Sequence, residues 1–153
     1  MTTTGTTMTE GLTFLITEEI MVHASIESTF ETLISEMGRL NVGLDGKPMP
    51  MILEAFPGGR WYRDLGGNNG HLWGFVQSIK HPTLLEITGP LFMSNPVINS
   101  MQYRLSEAAD GTVIRFRHSA LGVIEDDHRR GVASGWGPLH ARVKRAAEAA
   151  DAK

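Results

Sequence analysis

The chain contains no cysteine. That absence excludes a disulfide framework, thiolate metal sites and a cysteine nucleophile together, while leaving the compartment open. It also lacks any apolar run approaching the roughly 18 residues of a membrane span. Residues 1–9 hold six threonines without a positive charge or an apolar stretch, so they do not read as a signal peptide. Neither sign of charge dominates: 14 Lys+Arg against 17 Asp+Glu leave a net charge of −3, which removes the basic footprint of a nucleic-acid-binding protein. The expectation is a cytoplasmic protein with neither nucleic acid nor membrane as partner. Aromatic residues make up only 7 % of the chain, so the positions of its three tryptophans carry weight.

What is present is an ordinary globular composition, 41 % hydrophobic and 20 % charged over 153 residues, which suits one domain. The boundaries read as a Thr-rich tail over 1–10 and a single domain over 11–150. From Leu12 to Ala24 the residues Phe14, Ile16, Glu18, Ile20 and Val22 share one face of a strand. Ser25 is placed to cap a helix whose apolar residues Ile26, Phe30, Leu33, Ile34 and Met37 follow helical spacing, and Gly38 stops it. After a loop over 41–50, strands are expected at Met51–Phe56, Trp61–Leu65, Leu72–Ile79, Leu84–Thr88, Val97–Leu105 and Val113–Ala120. Turn residues separate them: Pro57-Gly58-Gly59, Gly66 to Gly70, His81-Pro82, Gly89-Pro90 and Asp110-Gly111. The period then changes. Val132, Trp136, Leu139, Val143, Ala147 and Ala150 form one stripe of a long helix that starts among Glu125, Asp126 and Asp127, with a bend or break expected near Pro138.

A meander of this length twists and leaves one concave apolar face, which a long amphipathic helix can close. The fold class is therefore α+β: a curved seven-stranded antiparallel sheet around a long C-terminal helix. This order resembles the helix-grip superfamily of START and Bet v 1-like (SRPBCC) domains. Within it, the chain resembles most the homologues of the activator of heat-shock-protein-90 ATPase. The matching pieces are Val22 to Phe30, Gly58-Gly59-Arg60-Trp61, Trp73-Gly74-Phe75-Val76 leading to His81-Pro82, and Ser134-Gly135-Trp136 entering the last helix. The sequence departs from the usual pattern at Ser25, where the family often has Pro, and at Asn41-Val42, where a Trp is frequent. The resemblance implies a cavity-forming module that binds apolar small molecules, and it carries no universal catalytic residue across.

Strand alternation puts Asn99, Met101 and Tyr103 on one inward face, and Phe116 and His118 on the next. The expected site is a cavity between sheet and last helix, walled by Phe14, Ile16, Phe30, Met101, Tyr103, Phe116 and Trp136, with His118 and Asn99 as orienting polar groups. Its expected partner is a small apolar or aromatic molecule; a homodimer is possible. Two alternatives stand beside it. One is a cyclase- or hydrolase-like enzyme with His118 or Glu18 as base, and the other is a chaperone-related protein-interaction module. A buried Glu18 needs either a partner or a bulge that turns it outward. The sides taken by Trp61 and Trp73 depend on a register the sequence does not set. His128, Asp126 and Asp127 cluster in sequence without metal-ligand spacing, and neither a metal nor a cofactor is expected.

Overall fold

The structure, a computed structural model, describes residues 12–92 and 94–153. The Thr-rich tail expected over 1–10 lies outside the described residues. Strand β1 (Thr13–Val22) leads into helix α1 (Ile26–Met37), and then come β2 (Ile52–Leu53), β3 (Arg60–Gly66), β4 (Asn69–Lys80), β5 (Leu84–Gly89), β6 (Val97–Ala108), β7 (Gly111–Gly122) and helix α2 (Asp126–Asp151). The strands form one antiparallel sheet in the order β1-β7-β6-β5-β4-β3-β2. A meander explains five of the six neighbouring pairs, and β1 closes on the last strand to complete the helix-grip architecture that the pattern predicts.

The caps follow local chemistry. Ser25 Oγ accepts the Ser28 N–H at 3.1 Å, and the Gly38 N–H closes the last turn of α1 on Ile34 O at 3.0 Å. The Ser25 N–H also donates to the Asp151 carboxylate at 2.8 Å, so the end of α2 holds the start of α1. Half-buried Arg142 and buried Glu36 join the two helices further along, at 3.2 Å. At the other end of α1, Trp61 Nε1 donates to Met37 O at 2.8 Å, which turns this tryptophan into the core beneath the helix.

Two expectations are corrected. The strand expected over Met51–Phe56 shrinks to Ile52–Leu53 because Glu54 folds back and its carboxylate takes both the Arg60 N–H and the Arg60 guanidinium. Of the bend or break expected near Pro138, the break is not there: α2 runs as one helix from Asp126 to Asp151 with Pro138 inside it. Pro138 is exposed, so the carbonyl it leaves unbonded meets water, while Trp136, Leu139 and His140 hold the neighbouring turns in the core. The stripe Val132, Trp136, Leu139, Val143 and Ala147 is buried as its spacing demands, His140 joins it, and Ala150 is exposed. Among the described residues no helix is long and apolar enough to cross a membrane.

Strands β4 and β5 approach each other closely at Gly74 and Gly89. A Cβ on Gly89 would stand 2.5 Å from Gly74 Cα, so glycine is the residue that allows this approach. Two substitutions of one kind should therefore have opposite signs. Gly89→Ala is expected to cost about 3 kcal/mol through overpacking. Gly131→Ala, on an exposed turn of α2 with nothing within 4 Å of the added carbon, is expected to gain about 0.5–1 kcal/mol. Urea unfolding of both variants checks the pair.

Candidate functional site

Three rows of inward side chains run across the sheet beneath α2. The register aligns Phe14, Ala120, Asn99 and Gly89 in one row. Ile16, His118, Met101, Ile87 and Val76 form the next, and Glu18, Phe116, Tyr103, Leu85 and Ile79 the third. The β1–β7 register is continuous from Thr13 to Val22, so Glu18 faces inward without a bulge. It is partnered instead.

Helix α2 lays Trp136 and His140, one turn apart, onto these rows, and each completes a hydrogen-bonded chain. Trp136 Nε1 donates to His118 Nδ1 at 3.0 Å. An indole N–H only donates, so His118 carries its proton on Nε2 and gives it to Asn99 Oδ1 at 2.7 Å. The Asn99 amide then donates to Gly89 O and Pro90 O, each at 3.1 Å. In the second chain His140 Nδ1 stands 2.5 Å from Glu18 Oε2, and Tyr103 Oη stands 2.9 Å from His140 Nε2. The carboxylate only accepts, so Nδ1 bears the hydrogen and the Tyr103 hydroxyl donates to Nε2. Among the described residues no buried side-chain nitrogen or oxygen lacks a partner.

Both imidazoles are held neutral. Burial pushes His118 down to about 4, and a proton on its Nδ1 would point at the indole N–H. Burial also lowers His140, against the opposing pull of its hydrogen bond to Glu18. Tyr103 is raised well above 10 by burial and then by the Glu18 charge, so its hydroxyl stays protonated.

Rings knit the two chains together. Phe116 lies 5.2 Å from Trp136 and 4.7 Å from both Tyr103 and His140, while Phe14 meets His118 edge-on at 4.9 Å. An aromatic line leaves this cluster toward the far side of the sheet: Trp136 to Phe92 at 6.3 Å, Phe92 to Trp73 at 5.6 Å and Trp73 to Trp61 at 4.9 Å.

Of the residues expected to wall the site, Phe14, Ile16, Met101, Tyr103, Phe116, Trp136, Asn99 and His118 do share this region. Phe30 is buried in α1 with its ring against His81, apart from the Trp136 cluster. Sequence reasoning left out Phe92, Trp73 and the partnership of His140 with Glu18. The one signal available was that His140 follows Trp136 by four residues on the buried stripe. Two open clefts lie elsewhere, one of about 410 Å³ beside Ser25 and Asp151 and one of about 540 Å³ along the β3–β4 hairpin.

No family model matches the chain, and no curated protein does. Solved structures do. An AHSA1-like protein from Aeromonas hydrophila shares 18 % identity at a TM-score of 0.65, covering 92 % of this chain and 96 % of its own. The Aha1 dimer from Colwellia psychrerythraea gives 17 %, 0.62, 88 % and 96 % in the same order, and protein MLL2253 from Mesorhizobium loti gives 17 %, 0.66, 90 % and 99 %. At these identities the likeness establishes the fold, and the fold is the helix-grip fold of the AHSA1-like proteins.

The depressed His118 has a consequence for acid stability. The unfolded chain takes up that proton near pH 6.5 while the folded one resists until about 4. The contribution is therefore complete above pH 6.5 and is lost as pH falls toward 4, by about 3 kcal/mol in total. His140, lowered by burial, acts in the same direction. Chemical denaturation at half-unit steps from pH 7 to 4 is expected to show this decline, with a shallower slope in His118→Phe.

Proposed function

We propose that the protein binds a small apolar molecule between the concave face of the sheet and α2, entering beside Phe92. The carrying observation is the line Trp61, Trp73, Phe92 and Trp136, an aromatic path from the core to a phenyl ring that is 42 % exposed. Helix α2 lies against α1 and β1, so the concave side of β3–β5 is covered by side chains in this line. Side chains move aside at far lower cost than a helix. The AHSA1-like fold supports the reading by analogy. The polar groups expected to orient a ligand, His118 and Asn99, are bonded to each other and hold the wall in place.

All three tryptophans lie on this path, so intrinsic fluorescence reports on it. Titration with 1-aminoanthracene is expected to quench the emission saturably. Trp73→Ala, at a half-buried position, should weaken binding about tenfold through lost aromatic contact. A linear, unsaturable response of the wild type would end this reading.

A base-catalysed enzyme has one observation in its favour, the Glu18–His140–Tyr103 chain with its partly exposed carboxylate. It is the weaker reading, because all four imidazole nitrogens of His118 and His140 are already engaged.

We infer a homodimer as the assembly, supported by the dimeric Colwellia structure and by an apolar corner on the outer face of the sheet. There Leu15, Ile98, Leu121 and Val123 are each more than half exposed, with Ile98 directly opposite Leu121. Light scattering is expected to give twice the chain mass for the wild type and the chain mass for Leu121→Asp; a monomeric wild type would refute it.

A further inference from the structure

We propose that the two copies of the homodimer meet outer face to outer face with their strands antiparallel, Arg117 lying against the partner's Glu125. This rests on the homodimer reading above and fixes how the copies meet.

The apolar corner has a centre. Leu15 on β1 pairs with Ser119, Ile98 on β6 stands directly opposite Leu121, and Val123 follows two residues later. The patch is therefore centred on Leu121, in β7, the middle strand of the three that carry it.

Charge is sorted about that centre. Four residues before Leu121, on the same outer face, stands Arg117; Arg115 lies two further back, with Arg104 directly opposite it on β6. Four residues after Leu121 stands Glu125, followed by Asp126. Arg104, Arg117, Glu125 and Asp126 are all exposed, and no side chain of the four forms a hydrogen bond or ion pair among the described residues. The neighbouring charges are engaged elsewhere. Arg115 is shared by Glu19 and Ser106, Glu86 accepts from Gln102, and Asp127 pairs with Arg130. Like charges directly opposed on adjacent strands, as Arg104 and Arg115 are, weaken a sheet. Glu125 does not cap α2 with its side chain. The fold of one chain makes no use of these four charges.

A two-fold axis in the plane of contact can lay the corner on itself in two ways. With the strands parallel, arginine would face arginine on one flank and glutamate would face glutamate on the other. With the strands antiparallel, each arginine faces a glutamate, and symmetry makes the pair twice. The match holds because both residues lie equally far from the centre, at most about 13 Å of extended chain. Like-charge juxtaposition disfavours the first arrangement, and opposite charge favours the second. The aliphatic side chains cannot choose between them, since methyl groups read the same in either direction. A standard interface takes about 20–30 residues a side, so the four of the corner also need these flanks to widen the contact.

The test is a charge swap, read by sedimentation of the full chain at low salt. Arg117→Glu alone, or Glu125→Lys alone, sets like charges against each other on both flanks, and each is expected to raise the dimer dissociation constant about tenfold. Mixed in equal amounts, the two variants are expected to form a heterodimer within about threefold of the wild-type constant, because each supplies the charge that the other lacks. That recovery also shows that both variants fold. Dimers of equal strength in the wild type and both variants, or weakening without recovery in the mixture, would overturn this orientation and leave the homodimer standing. A wild type that stays monomeric would remove the homodimer reading itself.

Discussion

Helix α2 is joined to the sheet by hydrogen bonds whose direction admits no alternative. Trp136 has a donor and nothing else, Glu18 has acceptors and nothing else, and an imidazole stands between each of them and the next group. Each imidazole must therefore carry one proton on one particular nitrogen. Sliding α2 along its axis by a residue would rotate both ring systems away from their partners and leave several buried polar groups bare, each at a cost of about 1–3 kcal/mol. Apolar packing alone would tolerate such a slip far better, because methyl groups have no polarity to mismatch. The register of helix on sheet is thus set by polar chemistry inside an apolar interface.

Much of the architecture was legible because it repeats. Period-two alternation marked β1, β6 and β7, Asp110-Gly111 marked the turn between the last two strands, and the stripe from Val132 to Ala147 marked the buried face of α2. What did not repeat was harder to read. β2 ends where a single side chain, Glu54, replaces ladder bonds with its own carboxylate, and no propensity encodes that. Pro138 argued for a bend or a break, and the helix continues through it with Trp136, Leu139 and His140 buried on either side.

The site divided along the same line. Inward-facing Asn99, Tyr103, Phe116 and His118 followed from alternation. Glu18 and His140, 122 positions apart in the chain, meet only because β7 returns to pair with β1 and α2 then runs along them. Phe92 stands in a connection between strands, where no period exists to point it anywhere. Its place beside Trp73 and Trp136 depends on a left-handed Leu91, a backbone state that leucine does not advertise.

The edge of the sheet shows another division of labour. Leu12 O accepts from the Gly122 N–H on β7, so the alternate carbonyls of Thr13 and Met21 point away from the sheet. Arg129, near the start of α2, donates to the first at 2.7 Å, and Lys144, near its end, donates to the second at 2.6 Å. The helix accordingly runs in the same direction as β1 and is laced to it at both ends. Both laces are tied by side chains of the helix to the bare backbone of the strand. Every amino acid brings the same carbonyl, so the strand is free to change its residues at positions 13 and 21 without untying either lace. The helix has no such licence: it must supply a long cation at 129 and at 144. Sequence drift in this part of the molecule is therefore expected to be lopsided, loose along the strand and tight along the helix that straps it.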